Sequence, residues 1–146
     1  MSLSCRTNEM WNVTREAMQD THDVRTIRVG HSPDPDDAFM FHALTTGAFD
    51  TPGYRFEHVL LDIETLNQKA HAGEYEVSAV SIHAYPEIAD KYALMNCGAS
   101  MGEGYGPMLV SKTPMTLEEA CSRTIAIPGE KTSAHLALKL ACGNVQ

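Results

Sequence analysis

The alternation of strand-like and helix-like segments constrains the fold of this chain more than any other feature. The stretch Thr26–Gly30 has the pattern of a first strand, and two prolines enforce a loop after it. A helix follows that is capped by Asp36 or Asp37 and ends at Gly47. Continued along the chain, this alternation predicts an α/β fold with a mostly parallel sheet and right-handed crossovers.

The later segments repeat the alternation. In the next helix Asp62 is the cap, Ile63, Leu66 and Ala70 recur on one face, and Gly73 ends it. The segment 77–82 is almost continuously apolar, which is typical of a strand covered on both faces. Further strands are predicted over 54–61, 93–96, 107–112 and 124–127, and further helices over 83–92, 116–122 and 132–142.

The chain divides into three regions. Residues 1–25 are polar and are interpreted as an N-terminal extension; they lack the apolar core of a signal peptide, which favours a cytoplasmic protein. Residues 26–106 are expected to form a first α/β lobe. Residues 107–146 would begin a second lobe that is incomplete within this sequence, and the glycine-rich stretch 98–106 is the expected boundary.

Charge and cysteine content exclude several partners. Lys and Arg number 11 against 19 Asp and Glu, a net charge of -8, so neither nucleic acid nor an anionic membrane surface is expected to bind. The apolar runs are too short to span a bilayer. The four cysteines form no CxxC pair, which argues against a zinc site, and we expect buried free thiols in a reducing compartment.

Two loops share one physical design. The loop with Ser32 and Asp37 leaves a strand and enters a helix, and so does the loop with Thr132 and Ser133. Helix N-termini offer unpaired N–H groups that hold carboxylates or phosphates, and open α/β sheets bind ligands at the carboxyl ends of their strands. Plain helix capping explains either loop taken alone. Together they predict a site for a small anionic ligand.

The glycine loop is a third candidate. The spacing of Gly102, Gly104 and Gly106 is not the dinucleotide pattern, and the loop leads into a predicted strand rather than a helix. It is interpreted as a hinge or a pocket wall, with a long turn as the alternative.

Histidines at strand ends are candidates for a base. His31 and His83 each follow a predicted strand, whereas His58 is expected to be peripheral. A metal site built from His31 and the acids Asp34, Asp36 and Asp37 is a minority hypothesis, because no complete metal-loop pattern is present. We expect neither a metal nor a cofactor.

Four segments in fixed order resemble one enzyme family. They read IRVGHSPDPDDAFMF (27–41), DIETLN (62–67), GEGYGPMLVS (102–111) and AIPGEKTSA (126–134). Together they resemble the 1,4-dihydroxy-6-naphthoate synthase family of the futalosine route to menaquinone. The resemblance implies a two-lobed fold of the periplasmic-binding-protein-like type II class. It also implies a cofactor-free lyase reaction on cyclic dehypoxanthinyl futalosine, held between the lobes.

Carried over by position, the resemblance places Ser32 and Asp37 in the pocket wall of the first lobe. Thr132 and Ser133 would hold a substrate oxygen group, and the loop with Gly104 and Gly106 would close one side. The family motif usually reads SPCPNDTF where this chain has SPDPDDAF, so substrate contacts there are expected to differ.

The catalytic residue stays unassigned at this stage. The family's proposed general base is a histidine beyond the equivalent of Gln146, so we expect these residues to be inactive alone. A binding module for small carboxylates that performs no chemistry is the rival hypothesis. The helix at 132–142 is apolar almost all round, which predicts that the chain forms a homo-oligomer.

Overall fold

A small parallel sheet forms the centre of the structure. The computed structural model describes residues 24–143. Within them, β1 (Arg25–His31), β2 (Tyr54–Leu60) and β3 (Val77–Ser78) lie in the order β2-β1-β3. Both neighbouring pairs are parallel, and the β1–β2 register runs from Arg25 opposite Tyr54 to His31 opposite Leu60. The predictions of an α/β fold and a mostly parallel sheet are therefore confirmed.

Helices follow or precede the strands as the sequence predicts. The described residues contain α1 (Pro35–Thr45), α2 (Ile63–Ala72), α3 (Leu117–Cys121) and α4 (Ser133–Cys142), with a 3-10 turn at Tyr85–Glu87. The first helix starts two or three residues earlier than predicted, because its N-cap is Asp34 and Pro35 takes the first helical position. No helix within this part of the chain has the length and apolar character to cross a membrane.

Helix α2 packs on the sheet through a short buried face. The Asp62 side chain accepts a hydrogen bond from the Thr65 N–H at 3.0 Å, and Gly73 ends the helix in the left-handed conformation at φ 71°. Leu66 is completely buried. A Cβ at Gly30 would lie 2.9 Å from the Leu66 side chain, so glycine lets the helix approach β1 closely.

The core lies between the sheet, α2 and the turn after β3. Its buried apolar side chains are Val29, Leu66, Ala70, Ala84 and Ile88, with Ala120 beside α4. Much apolar surface stays outside this core. Phe39 on α1 is 87% exposed, Met101 88%, Met108 86% and Leu140 on α4 80%.

Several predicted strands are wrong. The run 77–82 pairs with β1 only over Val77 and Ser78, and the helix predicted over 83–92 is reduced to the 3-10 turn. Residues 93–96, 107–112 and 124–127 contain no strand. A strand exists through backbone pairing, and the described chain supplies no neighbouring strand for these segments.

The expectation of buried free thiols is also wrong. Cys121 at the end of α3 and Cys142 at the end of α4 form a disulfide with a Cα–Cα distance of 5.4 Å. Cys97 is a free thiol, but it is exposed. Cys5 and the proposed N-terminal extension before residue 24 lie outside the described residues.

Candidate functional site

Acidic side chains within the loop after β1 form hydrogen bonds to the backbone and side chain of that same loop. Ser32 is buried, and its N–H donates to Asp37 Oδ2 at 2.7 Å. Its hydroxyl donates to Asp34 Oδ2 at 3.0 Å and accepts from the Asp34 N–H at 3.2 Å. Asp37 therefore does not cap α1. Its carboxylate instead fixes the backbone of Ser32, the first residue after β1. Both predicted residues contribute to the architecture of this loop.

The loop before α4 has one hydroxyl engaged and one open. Thr132 is the N-cap: its Oγ1 accepts from the His135 N–H at 3.3 Å and donates to the Gly129 carbonyl at 2.8 Å. The capping role that the sequence offered as the alternative for Thr132 is thus observed, and its predicted role in holding a substrate oxygen stays a prediction. The half-buried Ser133 hydroxyl has no protein partner among residues 24–143. Its N–H is one of those that a helix start leaves without an intrahelical acceptor.

Three side chains from earlier in the chain, Glu64, His83 and Glu87, form hydrogen bonds to the loop before α4. Glu64 Oε2 accepts the Lys131 N–H at 3.0 Å, and a Glu87 oxygen accepts from the Lys131 ammonium at 2.7 Å. His83 Nδ1 donates to the Thr132 carbonyl at 3.1 Å, because a carbonyl can only accept. Lys131, followed by His71 at 2.8 Å, lowers the pKa of Glu87 to about 2, so this carboxylate is charged at neutral pH.

These contacts bring both loops to the same edge of the sheet. Ser32 follows the last residue of β1. Glu64 stands in the first turn of α2, just after β2, and His83 follows β3. Since the strands are parallel, these positions all lie at their carboxyl ends. The edge is the one at which the sequence predicts a ligand site.

A histidine pair adjoins the Ser32 loop, which the sequence did not predict. His31 is buried, its Nδ1 donates to the Ser32 carbonyl at 3.0 Å, and its Nε2 lies 3.0 Å from His58 Nδ1. If both rings are neutral, this chain of bonds fixes His58 with a proton on Nδ1 and a bare Nε2. That Nε2 is buried and has no hydrogen-bond partner among residues 24–143.

The expectation that His58 is peripheral is therefore wrong. Burial, followed by the neighbouring His31, lowers the pKa of His58 below its usual value of 6.5. The signal that could have found the pair is the register. His58 lies opposite Val29, and His31 lies two residues farther along β1, so both side chains occupy one face as diagonal neighbours.

The glycine loop contains neither a helix nor a strand. Gly104 has φ 75° and Gly106 is exposed, and a Cβ at either position would meet no atom within 4 Å. Only the start of the glycine-rich stretch packs: Ser100 donates to Asp36 Oδ2 at 2.8 Å. With α1 it borders a cavity of about 450 Å³, lined by Pro35, Asp36, Phe39, Met40, Gly98, Ala99 and Ser100.

Metal-ligating side chains do not converge. Among residues 24–143, no group of three or more His, Cys, Asp or Glu side chains is arranged to hold a metal ion. The acids of the Ser32 loop are used instead in internal hydrogen bonds from Ser32 and, for Asp36, from Ser100.

Comparison with known proteins decides the family. Residues 27–146 match the family described as menaquinone biosynthesis. The chain belongs to this family. A 1,4-dihydroxy-6-naphthoate synthase of Thermus thermophilus is 36% identical over 117 residues, which are 80% of this chain and 42% of that protein. One of Streptomyces coelicolor is 34% identical over 116 residues, 79% of this chain and 40% of that protein.

A solved structure is also similar to this chain in fold and sequence. The crystal structure of an Archaeoglobus fulgidus protein matches with a TM-score of 0.75 and 52% sequence identity. The match covers 82% of this chain and 44% of the archaeal chain. The menaquinone-family chain described here thus spans about two fifths of the length of the proteins that it matches. The resemblance seen in the four sequence motifs is confirmed at the level of the family.

Proposed function

We propose that this chain carries part of the binding site of a lyase that converts cyclic dehypoxanthinyl futalosine to 1,4-dihydroxy-6-naphthoate without a cofactor. The observation that carries the proposal is the start of α4, held at the carboxyl edge of the sheet by Glu64 and His83. A helix start in that position is a binding place for an anionic group.

The groups that would contact the ligand are those whose hydrogen-bonding capacity is not already used within the protein. Ser133 offers a hydroxyl, and the first N–H groups of α4 offer donors aligned with the helix dipole. Thr132 would act by shaping the helix start, since both capacities of its hydroxyl are used. On the other side Ser32 and Asp37 would shape the wall, and Gly104 and Gly106 would border the entrance.

The wider assignments rest on the family. We propose a two-lobed fold of the periplasmic-binding-protein-like type II class, with residues 26–106 in one lobe and 107–146 in the next. A cytoplasmic location fits a biosynthetic family. Disulfides such as Cys121–Cys142 are uncommon in cytosolic proteins of mesophiles and common in those of hyperthermophiles. Self-association through the exposed side of α4 completes the proposal.

A binding module without chemistry is the second candidate. It is favoured by one observation: His31, a predicted candidate base, has both ring nitrogens engaged by Ser32 and His58. A base must offer a free nitrogen to the proton that it removes. The two candidates share the ligand class and differ only in turnover.

Titration with 1,4-dihydroxy-6-naphthoate tests the site. Ser133→Ala should weaken binding about ten- to a hundredfold, the value of one hydrogen bond to a charged group. The matched control is Ser122→Ala, because that hydroxyl donates to the Glu119 carbonyl at the end of α3. Equal affinity of the native chain and Ser133→Ala would place the ligand elsewhere. Because these residues are expected to be inactive alone, the lyase assay uses the chain joined to the remaining residues of a family member. Product released from cyclic dehypoxanthinyl futalosine, followed by chromatography, would support the lyase, and binding without product would support the binding module.

A further inference from the structure

Glu64 holds the loop that precedes α4 from outside. Its Oε2 accepts the Lys131 N–H at 3.0 Å across 67 positions of sequence. Lys131 directly precedes the N-cap Thr132, so its N–H lies outside the helix and has no helical acceptor. The bond therefore fixes the backbone immediately before the proposed binding groups.

The loop is shaped to receive this side chain. Gly129 has φ 151°, a conformation that side chains other than glycine rarely adopt. A Cβ at this position would lie 2.5 Å from both Cβ and Cδ of Glu64. The carboxylate thus lies directly against the loop backbone, and two features of residue 129 require glycine for that contact.

Glu64 is placed by its own helix as well. It lies in the first turn of α2, where Asp62 is the cap and a negative charge is favoured by the helix dipole. Its second oxygen, Oε1, accepts from Gln68 Nε2 at 3.4 Å on the same helix. The side chain is half-buried between α2 and the loop, so it bridges the two elements.

We propose that Glu64 is a positioning residue for the anion-binding start of α4. It acts through the Lys131 backbone and does not touch the ligand. The proposal rests on the proposed function for its ligand, but the hold on the loop is independent of it. What the loop needs is the acceptor oxygen; the negative charge itself disfavours an anion bound nearby.

This distinction gives opposite expectations for two variants. Glu64→Gln keeps an acceptor oxygen for the Lys131 N–H and removes the charge. It should bind 1,4-dihydroxy-6-naphthoate at least as tightly as the native chain. Glu64→Ala removes the acceptor, and its affinity should fall about tenfold, as for the loss of one hydrogen bond near 1.4 kcal/mol. A side chain with only a general structural role would not be rescued by Gln in this way.

The experiment combines the titration with hydrogen exchange of the Lys131 amide, measured by NMR on the full chain. Exchange should become faster in Glu64→Ala and stay slow in Glu64→Gln and in the control Glu57→Ala, which removes an exposed carboxylate from β2. Unchanged Lys131 exchange and unchanged affinity in Glu64→Ala would overturn the positioning role. Failure of the native chain to bind the naphthoate would instead overturn the proposed function, and the exchange of Lys131 would still decide whether Glu64 holds the loop.

Discussion

Asn67 offers the most demanding test of how the site is supported. Its side chain is completely buried on α2, and its Oδ1 accepts the Ser81 N–H at 2.8 Å. Its Nδ2 donates to the Ser81 hydroxyl at 3.2 Å. Ser81 lies between β3 and His83, which in turn holds the Thr132 carbonyl. A buried amide therefore fixes the turn that supports the second binding loop.

Replacement by leucine keeps the branching and the number of side-chain heavy atoms, and it removes both bonds. An intramolecular hydrogen bond contributes about 0.5–1.5 kcal/mol, and a donor left without a partner costs about 1–3 kcal/mol. We therefore expect Asn67→Leu to lower the free energy of unfolding by about 2–4 kcal/mol. This is a large part of the 5–15 kcal/mol that is typical of a folded domain.

Urea denaturation measures the free energy of unfolding. An unchanged slope of this free energy against urea concentration shows that the unfolded states are comparable. Asn67→Asp keeps an acceptor for the Ser81 N–H and should lose less stability when its carboxyl is protonated. Gln68→Leu, exposed on the same helix, serves as the control. An Asn67→Leu protein as stable as the control variant would show that the amide does not hold this turn.

Two further predictions concern the histidine pair and association. The pKa of His58 is lowered in the folded chain, so its contribution to stability is complete above the usual value of 6.5 and is lost as the pH falls through the folded value. As the pH is lowered from about 8 to about 5, urea midpoints should fall less steeply in His58→Gln than in the native chain, and an identical slope would contradict the lowered pKa of His58. Leu140 on α4 is 80% exposed, and we expect the native chain to run as a dimer or larger oligomer in light scattering and Leu140→Lys to dissociate it. A native monomer at micromolar concentration would refute this interface.

Local chemistry explains which elements the sequence predicted well. Asp62 and Gly73 bound α2 because a cap and a left-handed turn act within a few residues of the chain. Thr132 begins α4 for the same reason. The strand predicted over 107–112 is not formed, because pairing requires a neighbouring strand and residues 24–143 supply none there; Val110 is 84% exposed. The contact of Glu64 with the Lys131 loop was equally invisible, since nothing local to either segment encodes it.

The space between β1 and α2 is set at Gly30 by the absence of a single carbon atom. A methyl group there would lie 2.8 Å from the Tyr75 ring and 2.9 Å from Leu66. Carbon atoms pack best at about 3.5–4.0 Å, so an alanine would require the Leu66 and Tyr75 side chains to move away by roughly 1 Å. Leu66 lies on the same helix as Glu64 and Asn67, so any shift of α2 would also disturb the bonds to Lys131 and to Ser81. Gly30, on the central strand, therefore contributes to the placement of a binding loop that comes much later in the chain.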